Sequence, residues 1–137
     1  MFALHQPSSR LRVFALGVLA TWAGIACGCG SKIPKTYPVT GKVIWTGGKP
    51  VTDGRIEFRS LSDESLKAVG EIESDGSFSL TTHRDGEKQV GAVEGQHKVI
   101  VEPEWGDDKL IFVLPSPYTV ETRDNSFIIE LRPPRHR

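Results

Sequence analysis

The sequence predicts an all-β domain, a sandwich or barrel of about seven short strands, and three observations lead to this fold class. Fourteen Gly and nine Pro among 137 residues indicate many turns and few long helices. From Val39 onwards, short runs alternate between apolar and polar residues, as half-buried strands do. Turn residues separate these runs at intervals of about 8–12 residues, as in sandwiches and barrels. We therefore expect one β-domain over residues 38–132 and a disordered tail over residues 133–137.

Three alternating runs open the predicted domain. Val39–Trp45 and Arg55–Arg59 alternate clearly, and Ala68–Glu73 is a weaker run of the same kind. The glycine- and proline-containing stretch at 47–51 and the Asp53-Gly54 pair provide the turns between the first two strands. The charged residues of the second run are expected to face water, as on the solvated side of an antiparallel sheet.

A turn at Asp75-Gly76 follows, and it predicts a β-hairpin between Ala68–Glu73 and Ser77–Thr82, because Gly adopts the positive φ of hairpin turns. The next segment, Gly86–Gly95, is rich in glycine and charge and is predicted to be a loop. It leads into a further alternating strand, His97–Glu102.

The last part of the domain contains a second predicted loop, Pro103–Lys109, which carries Trp105 and three acidic residues. The apolar run Leu110–Leu114 fits either a strand buried on both faces or an edge strand packed under a loop. Tyr118–Glu121 is short and strand-like, and Phe127–Leu131 is the final strand. The inward positions that the alternation predicts are Val39, Gly41, Val43, Trp45, Ile56, Phe58, Ala68, Gly70, Ile72, Phe78, Leu80, Val99, Val101, Phe127, Ile129 and Leu131.

The amino-terminal residues predict a cleaved signal peptide. Arg10 and Arg12 precede the uncharged apolar run 13–26, which is shorter than the roughly 20 residues that a membrane-spanning helix needs. Small residues then lead to Cys29, an ending that resembles a bacterial lipoprotein signal. The resemblance implies a signal peptide over residues 1–28 and acylation, with palmitate among the acyl groups, at Cys29 or alternatively at Cys27. An uncleaved anchor helix and ordinary secretion without a lipid are the alternative interpretations, and residues 29–37 are predicted to be a flexible tether.

Charge and cysteine content narrow the function classes. The formal net charge is zero, which gives no general electrostatic reason to expect a nucleic-acid partner. Removal of residues 1–28 would take Arg10 and Arg12 from the 17 basic residues and nothing from the 17 acidic ones, leaving a net charge of −2. Both cysteines precede the predicted domain, so no disulfide framework is expected within it.

The candidate binding residues are few. His83 and His97 show no metal-binding spacing and are expected to face solvent. Glu104, Asp107 and Asp108 form an acidic loop beside Trp105. Ca²⁺ takes about six to eight oxygen ligands, and these three carboxylates show no recognisable arrangement that would supply them. Trp105 and Tyr118 are the aromatic residues expected to be exposed. No nucleophile turn, metal site or cofactor motif is recognisable, so no catalytic residue, metal ligand or cofactor is assigned.

Four short motifs occur in the order found in one known family: V-x-G-x-V, G-K-P, D-G-x-F-x-L and G-A-x-x-G-x-x-x-V. They are carried by Val39, Gly41, Val43, Gly48, Lys49, Pro50, Asp75, Gly76, Phe78, Leu80, Gly91, Ala92, Gly95 and Val99. Over residues 38–132 the chain thereby resembles the carboxypeptidase regulatory-like, transthyretin-like domain. The resemblance implies a single seven-stranded antiparallel Greek-key sandwich of the prealbumin-like type, without catalysis, that serves as an accessory or spacer module.

The sequence therefore predicts a non-catalytic, lipid-anchored β-sandwich of the cell envelope, acting as a protein-interaction or spacer module. Its expected partners are the membrane, reached through the lipid, and an envelope protein or polysaccharide, but no nucleic acid. The expected working surface combines the loops Gly86–Gly95 and Pro103–Lys109, if both lie at one end of the domain. A carbohydrate-binding module that uses Trp105 and Tyr118 is the alternative, and a small hydrolase is a third and weaker hypothesis.

Overall fold

The computed structural model describes residues 32–105 and 108–134, with Trp105 and Asp108 described by their backbone alone. These residues contain no helix, and therefore none that is long and apolar enough to cross a membrane. The prediction of an all-β fold is confirmed. The thirteen strands are β1 (Thr36–Tyr37), β2 (Val39–Trp45), β3 (Gly54–Ser60), β4 (Lys67–Glu71), β5 (Ser77–Ser79), β6 (Thr81–Arg84), β7 (Glu87–Val90), β8 (Ala92–Val93), β9 (Gly95–Trp105), β10 (Asp108–Lys109), β11 (Phe112–Val113), β12 (Tyr118–Val120) and β13 (Asn125–Leu131).

The largest sheet contains eight strands and is organised around the eleven-residue strand β9. Its main strand order is β10-β9-β3-β4-β6-β7, and all of these neighbours are antiparallel. On the edge of β9 away from β3, the short strands β12, β11 and β10 pair with successive parts of β9. The apolar run Leu110–Leu114 is thus an edge segment, in which Ile111 and Val113 are exposed.

The second sheet has three strands in the order β13-β2-β5, and one of its pairings corrects the prediction. β13 runs parallel to β2, with Asn125 opposite Val39 and Leu131 opposite Trp45, so the fold is not wholly antiparallel. The two strands begin side by side, where the backbone N–H of Asn125 donates to the carbonyl of Pro38 at 2.8 Å.

The Asp75-Gly76 turn forms as predicted, but it does not make a hairpin. The N–H of Glu73 donates to the carbonyl of Ser77 at 2.8 Å, and Gly76 has a φ of 83°. The flanking strands nevertheless enter different sheets, because β4 pairs with β6 while β5 pairs with β2. The turn therefore carries the chain from one layer of the domain to the other.

One hydrophobic core joins the two larger sheets, as expected for a β-sandwich. The ring of Phe58 on β3 lies at its centre, with ring centroids 6.4 Å from Phe78 on β5 and 5.8 Å from Phe127 on β13. The predicted inward positions are confirmed: most are buried, and Gly41, Trp45 and Phe127 are half-buried.

Residues 32–37 belong to the folded domain, which corrects the predicted tether over this part of its length. The N–H of Lys32 donates to the carboxylate of Glu87 at 2.9 Å, and β1 pairs with β8. The hydroxyl of Thr36 donates to the carbonyl of Val90 at 2.6 Å, and Ile33 is only 3% exposed. We call residues 32–37 the amino-terminal clip. Cys27 and Cys29, with the predicted signal peptide, lie outside the described residues.

Candidate functional site on the outer face of the large sheet

The large sheet has one face in the core and one face in solvent. On β3, Ile56 and Phe58 are fully buried in the core, and the residues that alternate with them point away from it. We call the solvent-side surface of β7, β6, β4, β3 and β9 the outer face. Its side chains form rows that cross the strands, because residues paired directly in antiparallel strands lie on the same side of the sheet.

One of these rows consists of basic residues, one on each of the five strands. Lys88 pairs with His83, His83 with Lys67, Lys67 with Arg59, and Arg59 with Lys98. We call these five residues the basic row. Arg59 is half-buried and the other four are exposed. With strands about 4.8 Å apart, the row is about 19 Å long.

Charge within the basic row is only partly compensated. The carboxylate of Glu57 accepts hydrogen bonds from Nε and an Nη atom of Arg59, at 3.0 and 2.7 Å, and from Arg55 at 3.3 Å. Glu57 is therefore shared by two guanidinium groups. Within residues 32–105 and 108–134, no acidic side chain forms an ion pair with the other four members of the row.

Glu57 itself corrects one expectation about the outer face. Its side chain points away from the core as predicted, but the residue is only 8% exposed rather than solvated. Val69 and Ile100 lie directly opposite it on the neighbouring strands, and Val113 lies opposite Ile100. The row next to the basic row is thus a mostly apolar band with one covered carboxylate.

Acidic residues dominate the far end of the outer face. Arg55 lies directly between Glu71 and Glu102, and all three line a cleft of about 410 Å³ to which Asp53 and Glu104 also contribute. The basic row lies four positions further along β3, a distance of about 13 Å. Among the described residues, no group of three or more potential ligand side chains converges to hold a metal ion.

The two segments predicted to form a joint working surface lie at opposite ends of β9, so that prediction is wrong. Gly86–Gly95 is mostly strand, since it contains β7 and β8 and ends where β9 begins. Pro103–Lys109 contains the end of β9 and the whole of β10. The eleven residues of β9 put about 33 Å between these ends.

Trp105 and Tyr118 are also kept apart, so the structure does not assemble them into a shared sugar platform. Tyr118 pairs with His97 near the start of β9, whereas Trp105 pairs with Asp108 at its end. The ring of Tyr118 is half-buried and packs edge-on against Phe127, with centroids 5.3 Å apart. This burial raises the pKa of the Tyr118 hydroxyl.

The predicted acidic site is only partly described. Glu104 is exposed and lies opposite Lys109 across the β9–β10 pair, so its nearest strand partner is a base. Asp108 is described by its backbone alone, and Asp107 lies outside the described residues. The geometry thus gives Ca²⁺ binding at these residues no added support.

His97 is buried, which contradicts the expectation that it faces solvent. It is 1% exposed, its Nδ1–H donates to the carbonyl of Gly95 at 3.0 Å, and its ring centroid lies 6.0 Å from that of Phe58. Ser60 and Tyr118 lie opposite it on the neighbouring strands. Burial lowers the pKa of His97. His83, in contrast, is exposed as predicted.

The basic row was missed because the sequence does not reveal strand register. Each of its residues occupies an outward position of a strand, but only the pairing of five strands shows that these positions are neighbours. In comparisons with known proteins, no family model, no curated protein and no solved structure matches the chain. The resemblance to the carboxypeptidase regulatory-like family therefore stays a prediction.

Proposed function

We propose that this chain is a non-catalytic, lipid-anchored domain of the cell envelope that acts as an interaction module close to the membrane surface. The anchor in this proposal is an acylated Cys29, supported by the positive segment, the apolar run and the small residues that precede it in the sequence. A prealbumin-like Greek-key arrangement of seven core strands is part of the proposal, supported by the order of the four family motifs.

The amino-terminal clip is the observation that carries this proposal. Its first residue, Lys32, is bound at both backbone groups: its N–H donates to Glu87, and its carbonyl accepts from Arg84 at 3.2 Å. Only Gly30 and Ser31 separate Cys29 from Lys32, so their Cα atoms are at most about 11 Å apart. A lipid on Cys29 would therefore hold the β6–β7 hairpin beside the bilayer. This geometry favours a module that works at the membrane surface over a long-reach spacer.

Lipid attachment has a simple energetic basis. Each acyl methylene buried in a bilayer contributes about 0.8 kcal/mol, so two or more chains on one cysteine retain a protein without a spanning helix. The surface left free by the clip includes the outer face of the large sheet, on which the basic row and the acidic end are separated along the strands. We take this face, rather than the two predicted loops, as the working surface.

The intact mass of the mature protein from its own membrane tests the anchor. We expect a chain that begins at Cys29 and carries added acyl mass in the wild type. The Cys29→Ser variant should lose that mass and leave the membrane fraction, whereas Cys27→Ser, the matched control, should keep both. An unmodified wild-type chain that starts elsewhere, or loss of the lipid only in Cys27→Ser, would contradict the proposal.

A further inference from the structure

We propose that the basic row binds a linear acidic polysaccharide that lies across the strands of the large sheet. The five residues of the row would lie beside successive sugar residues, so that Lys88, Lys67 and Lys98 contact the carboxylate or sulfate groups of alternate residues, with His83 and Arg59 between them. This inference rests on the proposed function and adds the ligand that its working surface would bind. Binding of the polysaccharide does not depend on the lipid, so lipid anchoring and polysaccharide binding can be refuted independently.

The first argument is the arrangement of like charges. Basic residues directly opposite each other on neighbouring strands destabilise a sheet, yet Lys67 and Lys98 flank Arg59 on both sides. Glu57 binds Arg59 but is shared with Arg55, and the lysines have no ion-pair partner within the described residues. A bound polyanion would neutralise the row that the folded chain leaves uncompensated.

The second argument is spacing. The members of the row are one strand apart, about 4.8 Å, which is close to the length of one sugar residue in an extended glycan. A glycan crossing the strands at right angles therefore meets a basic side chain at each residue of the polymer. Lysine side chains are flexible and strongly hydrated, and they suit carboxylate or sulfate groups without demanding a fixed bidentate geometry.

The third argument favours a single polymer chain over a flat membrane surface as the ligand. The acidic end of the outer face, with Glu71 and Glu102, lies about 13 Å from the basic row along the strands. A planar anionic membrane pressed against this face would bring its headgroups onto those carboxylates as well as onto the lysines. A single polymer chain lying along the row avoids them, so the charge pattern favours a linear polyanion.

The side chains around the row also favour a glycan over a nucleic acid. Single-stranded nucleic acids are commonly held by aromatic rings on which the bases stack. Among the described side chains of the five strands that carry the row, only His83 places an aromatic ring on the outer face, while Phe58 and His97 are buried in the core. Val69 and Ile100, in the adjacent row, give an apolar band that suits the faces of sugar rings.

The test measures binding of the full chain, purified in non-ionic detergent, to polygalacturonate and dextran sulfate, with neutral dextran as the reference polymer. We expect saturable binding to at least one acidic polymer, none to dextran, and weakening with added salt. The variant Lys67→Gln/Lys98→Gln should lose about tenfold in affinity, because two charge-assisted contacts disappear. The matched control, Lys42→Gln/Lys109→Gln, removes the same charge elsewhere and should stay within about twofold of the wild type.

Four results would overturn the inference. They are no binding to either acidic polymer, equal loss of affinity in both double variants, tighter binding of the unacylated Cys29→Ser chain to phosphatidylglycerol vesicles, and tighter binding to a single-stranded oligonucleotide. Thermal unfolding of both variants shows whether a loss of affinity reflects misfolding, and the basic-row variant should unfold no earlier than the wild type. The Cys29→Ser chain should bind as the wild type does, which separates this inference from lipid anchoring.

Discussion

Asn125 connects the start of the last strand, β13, to Pro38 just before β2, and its replacement by aspartate should destabilise the domain. The residue is 8% exposed, and its Nδ2 group donates to the carbonyls of Arg123, Glu121 and Pro38 at 2.6, 3.1 and 3.3 Å. Its Oδ1 accepts from the N–H of Glu121 at 2.9 Å. Asn125→Asp keeps this acceptor but turns an oxygen towards three carbonyl oxygens.

The size of the effect follows from those contacts. Two good hydrogen bonds and one longer one are lost, at about 1 kcal/mol each, so we expect the free energy of unfolding at pH 7 to fall by about 3 kcal/mol. The loss should shrink as the pH falls towards about 4, the pKa of an aspartate in the unfolded chain, because the carbonyl oxygens raise the pKa of the introduced carboxyl group in the folded state and its protonated form again has a hydrogen to donate.

Equilibrium unfolding in urea, followed by tryptophan fluorescence, measures this change. Asp124→Asn is the matched control, since it makes the reverse replacement at an exposed neighbouring position and should change the free energy of unfolding by less than about 0.5 kcal/mol. A loss below about 1 kcal/mol for Asn125→Asp, or one equal to that of the control, would refute the role assigned to Asn125.

Three further predictions concern the clip, a buried histidine and the basic row. Gly91→Ala should lower the free energy of unfolding by about 1–3 kcal/mol more than Gly86→Ala does. Both positions have positive φ, but only at Gly91 would a Cβ meet the carbonyl oxygen of Tyr37. Equal losses of the two variants in urea unfolding would show that the clip is not packed against Gly91. Since burial lowers the pKa of His97, the wild type should lose stability relative to His97→Asn as the pH falls below about 6.5, and a difference that does not change with pH would contradict this. Lys67→Gln should raise the free energy of unfolding by about 0.2–1 kcal/mol by removing a like-charge neighbour, and a decrease of that size would show that the basic row does not repel itself.

The sequence predicted the faces of the strands well, because the period of two depends only on local geometry. The bounds of Val39–Trp45 were predicted without error, and Ile56 and Phe58 were placed correctly in the core. The prediction that His97 faces solvent was wrong because it relied on the polarity of the side chain and not on its place in the alternating pattern. His97 lies on the same side of β9 as Val99 and Val101, and this position accounts for its burial.

Pairing between distant strands could not be predicted in the same way. The Asp75-Gly76 turn has the local chemistry of a hairpin, but which strands pair with the flanking segments depends on contacts far away in the chain. Gly91 and Gly95 suggested a loop, whereas in the structure their positive φ values mark the bends between short strands. The basic row needs five strands in register, which no local pattern contains.

Carbodiimide coupling to oligogalacturonate, followed by peptide mass analysis, tests the basic row most directly, since it joins a lysine amine to a carboxylate in contact with it. We predict that adducts on the full chain concentrate on Lys67, Lys88 and Lys98 and are suppressed by salt. Adducts spread evenly over these lysines and over Lys42 and Lys109, or a distribution that salt does not change, would contradict the assignment of the basic row as the binding surface.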